Sequence, residues 1–123
     1  MKTVHFIRHG ETEQNAQKVW QGHTDTPLNK KGLEQAKLLS ERICGRVTKV
    51  YSSDLKRASQ TASFLSSSPV LRDNLREINV GDFTGMSVKD TYTSNHEIFQ
   101  SLQSDSFQFP NGESVKAVSY THL

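Results

Sequence analysis

Apolar positions in this chain fall in short clusters whose period changes along its length. Val4, Phe6 and Ile7 are β-formers in a run that stops at His9-Gly10, which predicts a strand over residues 3–8. Its apolar residues fall on both faces, as in a strand buried inside a parallel sheet. Residues 13–28 read as polar and irregular, with Thr26-Pro27-Leu28 marking a turn. Leu33, Ala36, Leu39 and Ile43 then recur at helical spacing behind Asn29, a side chain suited to an N-cap. Gly45 stands where a glycine ends a helix. Val47 to Tyr51 predict a second strand. Ser52 or Ser53 can cap a second helix, with Leu55, Ala58, Ala62 and Leu65 along one stripe. Three serines and a proline over 66–69 end it, and Val70-Leu71 suggest a short third strand. Residues 94–106 are polar with scattered apolar positions and read as a weakly specified helix or lid.

The order strand, helix, strand, helix predicts an α/β domain, three-layered, with a mostly parallel sheet flanked by helices. In such sheets chemistry collects at the carboxyl ends of the strands. Three segments meet that rule: Arg8-His9-Gly10, Ser52 to Arg57, and Glu77.

Composition narrows the picture. The 123 residues suffice for one compact domain. Fifteen basic and 13 acidic side chains leave a net charge of +2 with no basic block, so neither nucleic acid nor an anionic membrane is an expected partner. No apolar stretch approaches spanning length, and residues 1–8 do not read as a signal peptide. Cys44, the single cysteine, cannot staple the chain and reads as a half-buried structural thiol. No CxxC or Cys/His metal spacing is present, and the expected setting is reducing and cytoplasmic. His5, His23 and His96 read as packing or solvent-facing, and Trp20 as a packing residue.

The candidate chemistry sits in Arg8-His9-Gly10-Glu11-Thr12. An imidazole largely neutral at pH 7 can attack an electrophile. A guanidinium beside it binds phosphate oxygens through parallel hydrogen bonds and keeps its charge. Gly10 lets the backbone turn closely around a ligand, and Asn15 can donate amide hydrogen bonds to an anion. These are the parts needed to attack phosphorus with a nitrogen nucleophile. An Arg-His pair alone is usually structural, and Arg57 and Glu77 alone would be ordinary surface residues.

Further blocks change that reading. The segment at residues 8–12 matches the RHG signature of the histidine phosphatase superfamily, also called phosphoglycerate mutase-like. Residues 20–36, beginning Trp-Gln-Gly-His-Thr-Asp-Thr-Pro-Leu, resemble its second block. Residues 52–62 resemble the third, 75–85 the fourth, and Pro110-Asn111-Gly112-Glu113-Ser114 the fifth, in the family's order. The resemblance spans residues 3 to about 117. It implies His9 as the nucleophile that becomes a phosphohistidine, and Arg8 and Arg57 as the pair that clamps the phosphoryl group. It implies Asn15 as a further phosphate ligand, Gln21 and Gly22 at positions touching the substrate, and Glu77 as proton donor to the leaving oxygen. The resemblance also implies a small phosphorylated metabolite as partner, and no metal and no organic cofactor. Glu113-Ser114 read as the cap of a following helix.

The family carries a second catalytic histidine in a late motif resembling Val-Ser-His-Gly. Here the tail reads Val118-Ser119-Tyr120-Thr121-His122-Leu123, with Tyr120 at the histidine's place and His122 a poor substitute. The expectation is an incomplete domain over residues 1–117 that lacks its last strand or strands, followed by a non-native tail over 118–123. Loss of a strand beside the first would leave an unpaired edge, hence marginal stability and aggregation. The short gap from Gly81 to Asn111 favours phosphomonoester hydrolysis. The alternatives are mutase-type transfer, a non-catalytic phosphate-binding module, and an inactive fragment.

Overall fold

The computed structural model describes residues 2–94, 100, 101, 104 and 106–122. Its architecture is mixed α/β, a short parallel sheet flanked by helices. Helix α1 spans Glu13–Gln17 and α2 spans Lys30–Ile43. Strand β1, Tyr51–Ser53, leads through α3, Lys56–Ser63, to β2, Val70–Arg72. The two strands pair in parallel, with Tyr51 opposite Val70 and Ser53 opposite Arg72. Single 3-10 turns follow at Asp73–Leu75 and Gly81–Phe83. Helix α4, Val88–Ser94, and α5, Val115–His122, complete the described elements.

Several expectations need correction. Residues 3–8 pair with no strand among the described residues, and they are not buried: Val4 is 73% and Phe6 96% exposed. β-propensity marks a segment that fits a pleated surface, but a strand exists only where a neighbour takes up its backbone groups. The second strand begins at Tyr51 instead of Val47, because the pairing starts where Val50 O accepts the Val70 N–H. Residues 13–17, read as irregular, form α1. Thr12 and Asn15 close a capping box around its first turn, which offsets an otherwise marginal length. Cys44 is exposed, one residue past the end of α2.

The cap of α3 is the most instructive difference. Neither Ser52 nor Ser53 is its N-cap; Leu55 holds that position with no side-chain cap bond. The first helical N–H, at Lys56, goes instead to Asp25 Oδ1 at 2.7 Å, a carboxylate from 31 residues earlier. An acidic group at a helix N-terminus is favoured by the dipole, but no local rule could find one so distant. By contrast α2 starts as read, with Asn29 Oδ1 accepting the Gly32 N–H, and Gly45 follows it with φ +75°. Ser114 Oγ caps α5 by accepting the Ala117 N–H, whereas the Glu113 carboxylate is engaged elsewhere. Of the 94–106 reading, residues 95–99, 102, 103 and 105 lie outside the described residues, as does His96.

Leu28, Ala36, Leu55 and Ala62 are buried on or beside α2 and α3. Val80, Phe83 and Phe109 form a hydrophobic core with Trp20, Ile78 and Phe107 packed against it. Trp20 meets Phe83, Tyr92 and Phe109 at centroid distances of 6.3, 6.1 and 5.8 Å, the packing role expected of it. Asp82 N donates to Pro110 O, and the Asn111 amide donates to both Asp82 oxygens, closing the excursion between residues 82 and 110 at its base. Among the described residues no helix is long and apolar enough to cross a membrane.

Candidate active site

The segment at residues 8–12 lies against α2 and α3, and glycines permit the approach. A Cβ on Gly10 would stand 2.4 Å from Gly32 O, and one on Gly32 would stand 2.1 Å from Glu11 O. Backbone therefore touches backbone, a contact only glycine allows. The Gly10 N–H donates to Thr61 Oγ1 at 3.1 Å, and that hydroxyl donates to Arg57 O, so the His9 loop is tied to the first turns of α3. Glu11 is anchored on α2: Gln35 accepts its N–H, Asn29 donates to its carboxylate, and Lys31 Nζ lies 3.2 Å away. Those contacts, the Asn29 hydrogen bond first, hold the Glu11 carboxyl below the usual range.

This contact reverses an ordinary rule. Ala is normally about 1 kcal/mol better than Gly inside a helix. Here Gly32→Ala is expected to destabilise by roughly 1–3 kcal/mol, as overpacking does, and to displace the His9 loop. Thermal denaturation reads the first effect, and phosphate affinity the second.

His9 is half-buried, and its Nδ1 lies 2.7 Å from Gly10 O. A carbonyl oxygen only accepts, so Nδ1 carries the proton and Nε2 keeps its lone pair. Burial is the first cause holding the His9 pKa below its ordinary value; the Gly10 hydrogen bond opposes it, and the Arg57 charge adds to it. The imidazole is thus biased toward its neutral, nucleophilic form.

Arg57 is 2% exposed, unusual for a side chain that always carries charge. Its Nη1 donates to Thr24 O at 2.7 Å and its Nη2 to Gly22 O at 2.6 Å. Nη2 also meets Glu77 Oε2 at 3.1 Å. Glu77 is half-exposed, so this pair is an adjustable contact and not a buried salt bridge. Arg76, the residue before it, is locked to Asp54 by two bonds, Nε to Oδ1 at 2.7 Å and Nη2 to Oδ2 at 2.5 Å. The Arg76 hydrogen bond is the leading cause of a lowered Asp54 pKa.

His9, Arg8, Arg57 and Glu77 line one cavity of about 690 Å³. Residues 3–7, Val47, Val50 and Leu55 give the same cavity an apolar flank. Asn15 and Gln21 are placed differently from a simple ligand reading. Asn15 Oδ1 accepts the Thr12 N–H, leaving its amide N–H groups as the free end. Gln21 is buried, with Oε1 accepting from the Thr12 hydroxyl at 2.7 Å, and Gly22 offers its carbonyl to Arg57. None of Asn15, Gln21 and Gly22 is among the residues lining the cavity. Their visible work is to hold Thr12 and Arg57.

The reading from sequence passed over the rest of this loop. Residues 21–28 reach every part of the site: Gln21 to Thr12, Gly22 and Thr24 to Arg57, His23 to Glu77, Asp25 to α3, and Leu28 N to Gln60 Oε1. His23, read as packing or solvent-facing, puts Nε2 2.8 Å from Glu77 O. The available signal was its place inside the second motif block, between two residues whose carbonyls hold the buried arginine. Among the described residues no group of three or more His, Cys, Asp and Glu side chains is gathered as a metal site would need.

The model of the histidine phosphatase superfamily, branch 1, matches residues 4–120. A phosphoglycerate mutase-like protein 4 of Arabidopsis thaliana is 38% identical over 106 residues, covering 80% of this chain and 46% of that protein. A probable phosphoglycerate mutase GpmB of Yersinia pestis is 33% identical over 123 residues, 94% of this chain and 57% of its own length. The chain spans about half the length of these curated relatives. Among solved structures, TTHB049 from Thermus thermophilus superposes with a TM-score of 0.80 at 35% identity, covering 94% of this chain and 65% of that one. A mycobacterial glucosyl-3-phosphoglycerate phosphatase in complex with VO3 superposes at 0.83 with 29% identity, covering 93% and 60%. The chain belongs to the histidine phosphatase superfamily.

Proposed function

We propose, from this membership, that the protein hydrolyses phosphomonoesters of a small metabolite through a phosphohistidine on His9. The observation that carries the reading is the tautomer: the Gly10 carbonyl takes the Nδ1 proton and leaves Nε2 as a nucleophile in a cavity it shares with Arg8, Arg57 and Glu77. The two guanidinium groups neutralise the equatorial oxygens of the transferred group. Substrate phosphate displaces Glu77 from Arg57. On leaving Arg57, Glu77 takes the proton that the phosphate monoanion brings; His9 Nε2 then bonds to phosphorus as the P–O(alkyl) bond breaks, and Glu77 gives that proton to the leaving oxygen. Water then attacks the phosphohistidine, Glu77 accepts its proton, and inorganic phosphate leaves with the His9 lone pair restored. No step needs a metal or organic cofactor.

A mutase reading shares the first half of this path and differs in the acceptor. It has support in the names of two relatives, and the phosphatase reading in that of a structural neighbour. The short excursion between Asp82 and Pro110, closed at its base, favours water as acceptor, because a mutase must exclude water around the phosphoenzyme. The test offers phosphoglycerate and follows both products. Faster release of inorganic phosphate than isomerisation is expected; the reverse overturns the assignment.

The His9 environment sets a pH dependence. A histidine whose folded pKa lies below its unfolded value binds fewer protons when folded. Its contribution opposes folding as pH falls through the unfolded value of about 6.5 toward the lower folded value, then levels off. The acid limb of kcat/KM is therefore expected below the ordinary histidine range. Stability is expected to rise over the same window as pH increases, and His9→Ala should remove that part of the slope.

A further inference from the structure

Glu77 can deliver a proton only if it stays in place after its partner is taken away. Its one described side-chain contact is with Arg57, the group that a substrate phosphate would claim. Something other than that ion pair must hold it during the reaction.

The backbone around Glu77 is anchored on three sides. Before it, Arg76 is fixed to Asp54. After it, Asn79 is bonded twice to Glu113, through its N–H to Oε2 and its C=O to the Glu113 N–H, both at 2.8 Å. At Glu77 itself, the carbonyl meets His23 Nε2 at 2.8 Å. That oxygen can only accept, so His23 Nε2 carries a proton and donates it. Two carboxylates face this ring: Glu113, 3.8 Å from Nε2 and beyond hydrogen-bond range, and Asp54, whose charge the ring also feels. His23 lies between Gly22 and Thr24, whose carbonyls orient the Arg57 guanidinium. One three-residue stretch thus grips the phosphate clamp and the backbone of the acid together.

Resting on the proposed hydrolysis, we infer that His23 is a positioning residue, which holds Glu77 at a fixed offset from Arg57 through the Nε2–H···O=C bond once phosphate has broken the ion pair. It touches no reacting atom. In the phosphorylation of His9 its effect falls on proton delivery to the leaving oxygen, so in that step it matters for poor leaving groups and little for good ones.

The test compares His23→Leu, which removes the donor, with His23→Gln, which keeps one. Each is assayed on glycerol phosphate, whose alkoxide needs a proton, and on 4-nitrophenyl phosphate, whose phenolate does not. His23→Leu is expected to lower kcat/KM, which reports the phosphorylation step alone, by roughly 10–100-fold on glycerol phosphate and by less than about threefold on 4-nitrophenyl phosphate. His23→Gln is expected to recover most of the loss. Equal losses on both esters, or no recovery with Gln, overturn the inference. Glu77→Gln is the control: if it fails to discriminate between the esters, the acid assignment falls and not the placement of His23. Hydrogen exchange then judges His23 whether or not the chain turns over. In His23→Leu the Asn79 amide, which donates to Glu113 Oε2, and the Arg57 guanidinium should exchange at least about tenfold faster, while the Phe83 and Phe109 amides keep their rates. Unchanged exchange at Arg57 and Asn79 overturns the inference.

Discussion

His9→Ala is expected to abolish phosphoryl transfer, lowering kcat/KM by roughly 10³-fold or more, the scale on which loss of a covalent nucleophile acts. The variant should still bind inorganic phosphate within about threefold of the parent. The groups proposed to hold the anion are Arg57, set by Gly22 O and Thr24 O, and Arg8; none depends on the imidazole. Stability should hardly fall, since the one described hydrogen bond of the ring runs to the neighbouring Gly10 carbonyl. Isothermal titration with phosphate beside a turnover assay separates the two effects. A variant that loses binding as completely as turnover would place His9 among the ligands and not at the reacting atom.

Arg57→Ala is expected to remove both function and much of the stability. The guanidinium is buried and makes hydrogen bonds to two main-chain carbonyls besides the Glu77 contact. Its loss strands Gly22 O and Thr24 O and opens a void beneath α3. A loss of roughly 2–4 kcal/mol is expected; the Glu77 pair adds little, because that carboxylate is 53% exposed and screened by water. Arg57→Lys should recover little of either effect, since one ammonium cannot span both carbonyls and a phosphate with the same fork. Urea denaturation and phosphate titration read the two halves. A lysine variant that binds phosphate normally would show that charge alone suffices.

How far the sequence carried these conclusions depended on how local each cause was. Asn29, Gly45 and the stripe through Leu55 and Ala62 act within a few residues, and their helices follow from them. The Asp25 cap of α3 and the Thr12–Gln21 bond act across a fold not yet formed, and nothing in the neighbouring residues announced them. Residues 3–8 show the converse: strong β-formers without a described strand beside them form no ladder. In the site, Arg8, His9, Arg57 and Glu77, which the motif blocks had named, line one cavity. They named Gln21 and Gly22 as substrate contacts, where the geometry shows one hydroxyl partner and one carbonyl support. His23 escaped because a histidine donating to a main-chain carbonyl 54 residues away leaves no periodic or compositional trace.

Where the phosphoryl group goes decides whether His9 is the nucleophile. The most direct measurement mixes the protein with a phosphomonoester, quenches in alkali on the turnover timescale, and maps any phosphoryl adduct by mass spectrometry. The expected result is an acid-labile adduct on His9, absent from His9→Ala and present in His23→Leu. An adduct on another residue would contradict that role, as would phosphate release with no covalent species at any quench time.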